Sequence, residues 1–314
     1  MRRKIAMYFH KRKLEKDPFS TFGTKRSVYH DFFRLGMERG FDMYIASGKE
    51  NYTEPLTFGG AYQYNGKFFE PCAEALKMDT VFDRSGGMFF PTENIGHKVL
   101  NNIYFKSLCN NKNEAYKIIG EFMPKSADIE DRDALMKQLE SFPQSTRAVL
   151  KPAKGMCGKG IIIDYPEKIA AESIEGGREY ILQEFVDTSA GIPGIINGHH
   201  DLRVVIVNGE IVLSHVRAPR EGSLLANVAQ GGSIKEVPVK DIPKFIVDVV
   251  KKIQASIDEK FDYPLYSIDL GIQEKKKLFV FELNDQIGFP SEQMKAKGDF
   301  LDKILDSLER RALA

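Results

Sequence analysis

Three oxygen-bearing side chains late in the chain have the types and the spacing of a cation site. Glu282 and Asn284 are two positions apart in a predicted strand and so share one face, and Asp269 lies in the preceding strand. In an antiparallel hairpin, Asp269 and Glu282 come within about 5–8 Å of each other. Carboxylate and amide oxygens are ligands that Mg²⁺ prefers, and nucleotide phosphates can complete its shell. The sequence therefore predicts a Mg²⁺ site formed by Asp269, Glu282 and Asn284.

An edge strand with a polar outer face is the alternative explanation of this pattern. The large apolar neighbours favour the cation site, because charged groups between such residues need a partner. On the opposite face of the same strand, the period of two predicts a core-facing set, namely Phe279, Phe281 and Leu283.

Lysines and glycines form a second group between two predicted strands. Lys151 ends one strand, and the turn that follows contains Lys154, Gly158 and Gly160. Backbone N–H groups exposed by glycine can surround phosphate oxygens while lysines supply positive charge. The segment lacks the residues of a Walker A loop, and a strand follows it where a helix would follow a dinucleotide-binding fingerprint. The alternative is a glycine-rich hairpin with solvated lysines.

A third group lies where a predicted strand, residues 180–186, ends and the next begins. Asp201 and Arg203 share one face of that next strand. The carboxylate could accept hydrogen bonds from ribose hydroxyls, and the guanidinium could hold a carboxylate or a phosphate through two hydrogen bonds. The alternative is a surface ion pair, which would contribute only about 0–1 kcal/mol to stability.

Composition excludes several classes of protein. The chain has 314 residues, of which 42% are hydrophobic and 28% charged, so we expect a globular protein with its own core. The net charge of +1 is low for a dedicated nucleic-acid binder, so no nucleic-acid partner is expected. No run approaches the ~20 apolar residues of a membrane span, and no membrane partner is expected either. The cysteines Cys72, Cys109 and Cys157 form no metal or disulfide pattern, which is typical of a cytoplasmic protein.

The first 40 residues are locally basic, with eleven Lys or Arg against four Asp or Glu. A solvated face explains this excess most simply. A rim that attracts an acidic substrate or a polyanion is the sharper alternative.

Hydrophobic periodicity predicts a mixed α/β (α+β) protein that begins with a small α/β unit, residues 1–95. Asn208-Gly209 predicts a type I′ turn between two strands, and residues 83–87 are predicted to form a flexible loop. The main predicted strands are 4–9, 42–46, 80–82, 147–152, 160–164, 180–186, 202–207, 211–216, 265–272 and 278–284. The main predicted helices are 27–39, 111–123, 131–142, 243–260 and one that begins near residue 300.

The order of these motifs resembles that of the ATP-grasp carboxylate–amine ligases, and most closely their RimK-type, alpha-L-glutamate ligase-like branch. The resemblance covers about residues 96 to 312. It rests on five segments in this order: Lys151-Pro152 with its glycine loop, Gln183-Glu184-Phe185-Val186, Asp201-Leu202-Arg203, Arg217 through Asn227 to Gly232, and Asp269 followed by Glu282-Leu283-Asn284.

This resemblance implies an ATP-grasp fold, in which a small N-terminal α/β domain, residues 1–95, precedes two α+β subdomains, residues 96–180 and 181–314, that sandwich ATP. It also implies a ligase that joins an amino-acid or peptide carboxylate to an amine through an acyl-phosphate, with two Mg²⁺ ions that Mn²⁺ can replace. By position, the implied cofactor-binding residues are Lys112, Lys151, Lys154, Gly158, Gly160, Glu184, Phe185, Val186 and Asp201. The implied catalytic residues are Arg203, Arg217 and Asn227, and the implied metal ligands are Asp269, Glu282 and Asn284.

The chain also differs from that branch at three places on the substrate side. Leu225 stands where the branch usually has Arg, Asp285-Gln286 follows Asn284 where a Pro-Gly turn is usual, and the loop 187–200 is longer. Two alternatives to a ligase therefore stay open. One is an ATP-binding module without ligase activity, and the other is a protein that binds polyanions through its basic N-terminal segment.

Overall fold

The computed structural model describes residues 2–53, 55–86, 95–155, 158–226, 231–274 and 277–314. The N-terminal unit contains nine strands and helix α1 within these ranges. Its elements are β1 (Lys4–Phe9), α1 (Arg26–Glu38), β2 (Asp42–Ser47), β3 (Tyr52–Thr53), β4 (Thr57–Phe58), β5 (Tyr62–Tyr64), β6 (Phe69–Pro71), β7 (Leu76–Lys77), β8 (Thr80–Asp83) and β9 (Val99–Leu100). The main sheet has the order β6-β5-β2-β1-β8-β9, and β3, β4 and β7 form a separate small sheet.

Strand β1 lies at the centre of the main sheet, parallel to β2 and β8. Its apolar residues run without alternation because both faces of the sheet are covered, as in other parallel sheets. Helix α1 packs one apolar face on this sheet, where Phe32 and Phe33 are fully buried. Gly36 lets the helix approach closely, since a Cβ atom there would lie 2.4 Å from the sulfur of Met43.

The middle unit carries a four-stranded antiparallel sheet of order β10-β13-β11-β12. Leu135 of α4 and Ile169 of α5 pack against its apolar face. The elements of this unit are α2 (Ile103–Asn110), α3 (Lys112–Ile119), β10 (Ser126–Ile129), α4 (Arg132–Ser141), β11 (Ala148–Pro152), β12 (Ile162–Asp164), α5 (Pro166–Ala171) and β13 (Tyr180–Glu184).

The C-terminal unit carries a five-stranded antiparallel sheet of order β16-β15-β14-β17-β18. Both faces of this sheet are buried. Val204 and Ile206 face one core with α6, and Val205 and Val207 face another with α7 and the N-terminal unit. The elements are β14 (Asp201–Val207), β15 (Glu210–Ala218), β16 (Ser233–Glu236), α6 (Lys244–Asp258), β17 (Tyr266–Gln273), β18 (Lys277–Asn284) and α7 (Lys297–Leu313).

The long predicted elements agree with the structure to within a few residues at each end. Asn208 and Gly209 both have positive φ, 51° and 77°, as a type I′ turn requires. The short elements α2, α5, β10 and β16 were not predicted. The prediction of a flexible loop is wrong for Asp83 and Ser85, which are buried with Lys106, and the Asp83 carboxylate lies 2.6 Å from the Lys106 ammonium. Gly87, at the end of that loop, lies outside the described residues, as does Cys157.

The loop after β18 joins the C-terminal sheet to the N-terminal unit. Phe289 is fully buried, and its ring stacks on Tyr29 with the centroids 4.1 Å apart. The same ring meets Phe32 and Phe300 edge-on. Helix α7 also packs on the N-terminal core, so the N-terminal and C-terminal units share one hydrophobic core. The domain boundaries at residues 95 and 180 remain a proposal. Among the described residues, no helix is both long and apolar enough to cross a bilayer.

We expect Phe289→Ala to lower the free energy of unfolding by about 3–5 kcal/mol, because it leaves a cavity where the two units meet. Urea unfolding followed by circular dichroism measures this loss. Tyr104→Ala, at a side chain that is 63% exposed, is the control and should change stability by less than about 0.5 kcal/mol. Equal losses in the two variants would show that the Phe289 contact contributes little.

Candidate active site

Two adjoining clefts lie beside the five-stranded sheet. The first cleft, about 1000 Å³, separates the four-stranded sheet from the five-stranded sheet. The second cleft, about 1630 Å³, lies between the five-stranded sheet, the loop after β18 and the turn before α1. Gly155 and Glu282 line both clefts. A molecule in one cleft can therefore meet a molecule in the other beside the Glu282 carboxylate.

Apolar side chains form walls of the first cleft, and charged ones line it near its junction with the second cleft. The apolar walls come from both sheets and suit a flat ring; they include Val149, Ile161, Ile163, Leu224, Leu225 and Phe281. The segment Glu184–Val186 lines the cleft directly after β13. At the polar end stand Lys112, Lys151 and Glu282.

Phe281 reaches this cleft because of a β-bulge. Asp269 pairs with Glu282, but the next residue, Leu270, pairs with Val280, so Phe281 has no partner across the ladder. The prediction that Phe281 faces the core is therefore wrong, since one extra residue interrupts the period of two. Gly271 makes room for the ring, because a Cβ atom there would lie 2.2 Å from its edge.

Two buried lysines supply positive charge at the polar end. Lys151 donates to Gln183 Oε1 at 2.8 Å, and Lys112 lies 3.3 Å from Glu282 Oε1. Burial lowers the pKa of Lys151 to about 8, and the charge of Lys112 adds to this effect while Glu282 opposes it. Glu282 thus faces two ammonium groups, and an anion bound beside them would gain strong hydrogen bonds.

Only some residues of the glycine loop after β11 line the first cleft. Gly158 lines it with a φ of 72°, a conformation that favours glycine. Lys154 instead pairs with Glu179 at 3.1 Å on the exposed surface, and neither Lys154 nor Gly160 is among the lining residues. Lys159 does line the cleft. This lysine belongs to the same glycine-rich segment but was not among the predicted site residues.

A buried network of two carboxylates and two guanidiniums forms the floor between the clefts. Arg203 donates to both oxygens of Asp269, through Nε at 2.6 Å and Nη2 at 2.7 Å. Arg217 donates to Asp269 Oδ2 at 2.7 Å and also to Asp201. Burial alone would raise the pKa of Asp269, but the two guanidiniums outweigh it and hold that pKa below its usual range. The alternative of a surface ion pair is wrong for Asp201 and Arg203.

Asp201 retains an unused acceptor on the side of the first cleft. Its Oδ1 is buried and has no hydrogen-bond partner among the described residues, and the residue lines that cleft. Burial raises the pKa of Asp201 to about 7, and the nearby charge of Asp269 acts in the same direction. A buried acceptor without a donor costs free energy, so this position fits a hydroxyl group of a bound molecule.

The predicted metal ligands lie together at the junction of the clefts. Asn284 Nδ2 is 3.3 Å from Asp269 Oδ2, and Glu282 is the cross-strand partner of Asp269. All three offer the oxygen atoms that a hard cation requires. Within the described part of the chain, no three His, Cys, Asp or Glu side chains form a metal site by themselves. A cation here would therefore draw further ligands from phosphate oxygens.

Most of the predicted site residues line one of the two clefts. The first cleft collects Lys112, Lys151, Gly158, Glu184, Phe185, Val186, Asp201, Asp269 and Glu282, and the second cleft collects Arg203, Arg217, Glu282 and Asn284. Asn227 lies outside the described residues. The sequence analysis missed His215, which lines the second cleft. Burial and the charges of Arg203 and Arg217 lower the pKa of His215 to about 3, so it is neutral.

Comparison with known proteins identifies the family. The family model of the RimK-like ATP-grasp domain matches residues 111–308, well over half of the chain. The chain belongs to the RimK-like ATP-grasp family. This confirms the branch that the motif order predicts.

Individual relatives of the family show how far the likeness extends. A probable alpha-L-glutamate ligase of Legionella pneumophila (strain Corby) is 26% identical over 168 residues, or 52% of this chain and 50% of the relative. The chain thus spans about half the length of this curated relative.

Two solved structures with ligase names share the fold across their whole length. D-alanyl-alanine synthetase A from Vibrio cholerae has a TM-score of 0.65 at 13% identity, covering 100% of both chains. VanG D-Ala:D-Ser ligase from Enterococcus faecalis has a TM-score of 0.63 at 14% identity, covering 99% of this chain and 100% of the other. These likenesses confirm the predicted ATP-grasp fold.

We expect Asp269→Asn to destabilise the protein by about 3–5 kcal/mol, because two buried guanidiniums lose their shared counter-charge. Urea unfolding measures the change. Asp248→Asn is the matched control, since that carboxylate pairs with Lys244 on the surface and should cost at most about 1 kcal/mol. A loss at Asp269 no larger than that of the control would contradict the role assigned to the network.

Proposed function

We propose that this chain is an ATP-dependent carboxylate–amine ligase that forms an amide bond. The observation that supports it is the junction at Glu282 and Gly155, where a cleft with an apolar slot and two lysines opens into a cleft with two arginines. The family uses ATP and Mg²⁺. The two clefts offer one compartment for the nucleotide and another for the acid that it activates.

ATP would occupy the first cleft. The adenine ring would lie between the apolar walls, with Val149 on one side and Phe281 on the other, and the backbone of residues 184–186 would contact its edge. Asp201 Oδ1, the acceptor without a partner, would take a hydrogen bond from a ribose hydroxyl. Lys151 and Lys112 would donate to the phosphates, because they are the buried cations at that end of the cleft.

Asp269, Glu282 and Asn284 would hold Mg²⁺ with the phosphates, and the bound cation would reduce the negative charge that an attacking carboxylate meets. Glu282, whose carboxylate now pairs with the Lys112 ammonium, would bind the cation from its present position. Asp269 has a lowered pKa and would stay ionised at neutral pH.

The reaction has two steps. An oxygen of the acid's carboxylate attacks the γ-phosphorus of ATP, and the bond between that phosphorus and the oxygen that bridges to the β-phosphate breaks. ADP departs, and the acid is now an acyl-phosphate. The amine then attacks the acyl carbon, loses a proton and expels phosphate. Arg203 and Arg217 line the second cleft, where they would stabilise the oxyanion of the tetrahedral intermediate. No side-chain nucleophile is required.

The acid and the amine are expected to be an amino acid or a peptide. The names of the relatives support this class, because they describe the joining of glutamate or of D-amino acids. A second candidate is an ATP-binding module without ligase activity. Leu225 favours it, since an apolar side chain lines the first cleft where the branch usually has Arg.

We expect Glu282→Ala to abolish the release of phosphate from Mg-ATP in the presence of pooled amino acids and short peptides, while the fold is retained. The reason is that Glu282 stands at the junction and supplies a ligand that no neighbour replaces. Mass spectrometry of an active pool should show a product lighter than its two parts by one water.

Glu309→Ala, at an exposed position of α7, is the matched control and should keep full activity. Full Mg²⁺-dependent activity in Glu282→Ala would refute the metal assignment. If the unaltered protein binds ATP tightly but releases no phosphate with any pool, the result would favour the second candidate, an ATP-binding module without ligase activity.

Binding of ATP should take up a proton between about pH 8 and pH 9. The pKa of Lys151 is about 8, so above that pH much of the protein lacks this proton, whereas a neighbouring triphosphate raises the pKa and restores it. Affinity should therefore fall as pH rises above 8. Calorimetry in two buffers of different ionisation enthalpy counts the protons.

Lys151→Met should remove the proton uptake and weaken ATP binding by about tenfold or more. Lys168→Met, at an exposed lysine of α5, should change neither quantity. Unchanged uptake in Lys151→Met would show that another group takes the proton.

A further inference from the structure

A histidine without hydrogen-bond partners lies beside the two arginines of the second cleft. His215 is 8% exposed and lines that cleft. Neither of its ring nitrogens has a hydrogen-bond partner among the described residues. Nδ1 is buried, whereas Nε2 is not, so Nε2 is the nitrogen that a molecule in the cleft can reach. A polar atom without a partner in such a place fits a polar group of a bound molecule.

Strand pairing places His215 in a row of polar residues across one face of the five-stranded sheet. Neighbours in this row are cross-strand partners, and the row runs Glu236, His215, Arg203, Asp269, Glu282. Two of the predicted metal ligands thus lie at one end, and His215 lies beyond Arg203 from them. Glu236, at the other end, accepts from the backbone N–H groups of residues 295 and 296 at 3.0 and 2.9 Å.

The order of the row assigns a side to each reacting group. The phosphates would lie at the end with the cation, where Glu282 also meets Lys112. Arg203, next along the row, would hold the oxygen of the acyl group. The transferred phosphoryl group fills the metal side of the acyl carbon, so the amine would approach that carbon from the side of His215.

The amine needs a proton acceptor on that side, because it loses a proton when the amide forms. The cationic side chains of the second cleft, namely Lys25, Arg203 and Arg217, can only donate. Asp285 also lines the cleft, but its carboxylate accepts from the Gln286 amide at 2.7 Å. Moreover, Asp285 directly follows β18, the edge strand on the metal side of the row.

His215 can accept a proton because its ring is neutral. Burial and the charges of Arg203 and Arg217 lower the pKa of His215 to about 3; Lys25 acts in the same direction, and Asp269 opposes it. An imidazole in such a field gives up a proton quickly once it has taken one. This behaviour suits a group that must be neutral again before the next turnover.

We propose that His215 contacts the amine in the second cleft and accepts the proton that the amine loses. This inference rests on the proposed function. The amine nitrogen forms a bond to the acyl carbon, and one of its protons moves to Nε2 of His215. The bond between the acyl carbon and the phosphate oxygen then breaks, and its electron pair leaves with the phosphate. The ring returns the proton to solvent, from which the released phosphate takes one up.

Hydroxylamine separates the two steps of the reaction. It is a strong nucleophile that is largely unprotonated at neutral pH, so it traps an acyl-phosphate as a hydroxamate without a base. The acid of an active pool is supplied with Mg-ATP and with either its own amine or hydroxylamine. Mass spectrometry then measures the amide and the hydroxamate.

We expect His215→Gln and His215→Phe to lower kcat for the amide by about 100-fold or more, while the hydroxamate rate changes by less than about threefold. Gln keeps a polar contact but accepts no proton, and Phe keeps the shape of the ring. His97→Gln, at an exposed histidine, is the matched control and should change neither rate.

The inference is overturned if either variant forms the amide at the rate of the unaltered protein. It is also overturned if both variants lose hydroxamate and amide to the same extent, since that result would show a structural role. A selective loss of amide in Asp285→Asn, with none in the His215 variants, would assign the proton to Asp285 instead. If the unaltered protein forms neither product with any pool, the proposed function is refuted, and this inference with it.

Discussion

The carboxylate of Asp269 holds the floor of both clefts in place. It accepts hydrogen bonds from Arg203 on β14 and from Arg217 on β15, and Asn284 on β18 also reaches it. Four neighbouring strands are therefore linked through one buried negative charge. Such a charge is costly to bury alone, and the two guanidiniums offset that cost only in this geometry. The positions of the candidate catalytic and metal-binding groups thus depend on a single side chain.

A second constraint fixes the N-terminal unit against this floor. The segment that follows Asn284 does not turn out to solvent but inserts Phe289 between Tyr29 and Phe300. This contact lies a few residues from the junction of the clefts, and the same loop lines the second cleft together with Lys25 and Arg203. Asp285 and Gln286, which follow the predicted metal ligands, line the second cleft as part of the same segment.

Local sequence patterns predict the parts of this site that depend on local structure. The period of two places Glu282 beside Asn284, and Asn208-Gly209 marks the turn between β14 and β15. A register shift between Val205 and Ile206, which has no such local signal, then pairs Asp201 with Arg217. The β-bulge opposite Asp269 has no such local signal, because it depends on how two strands pair, so the position of Phe281 in the cleft was missed. Lys25 was missed for a related reason, because only tertiary packing brings it to the second cleft.

The pairing of Arg203 with Asp269 prepares the arginine for chemistry. Arg203 binds Asp269 through Nε and Nη2 and also lines the second cleft. A guanidinium held by two hydrogen bonds loses little further entropy when an oxyanion forms beside it, and stabilisation by a fixed dipole or charge requires no reorganisation at that moment. Asp269 would then act twice, as a ligand at the junction and as the residue that orients Arg203. Because both roles need an ionised carboxylate, the two guanidiniums that lower its pKa would serve the proposed metal site as well as the fold.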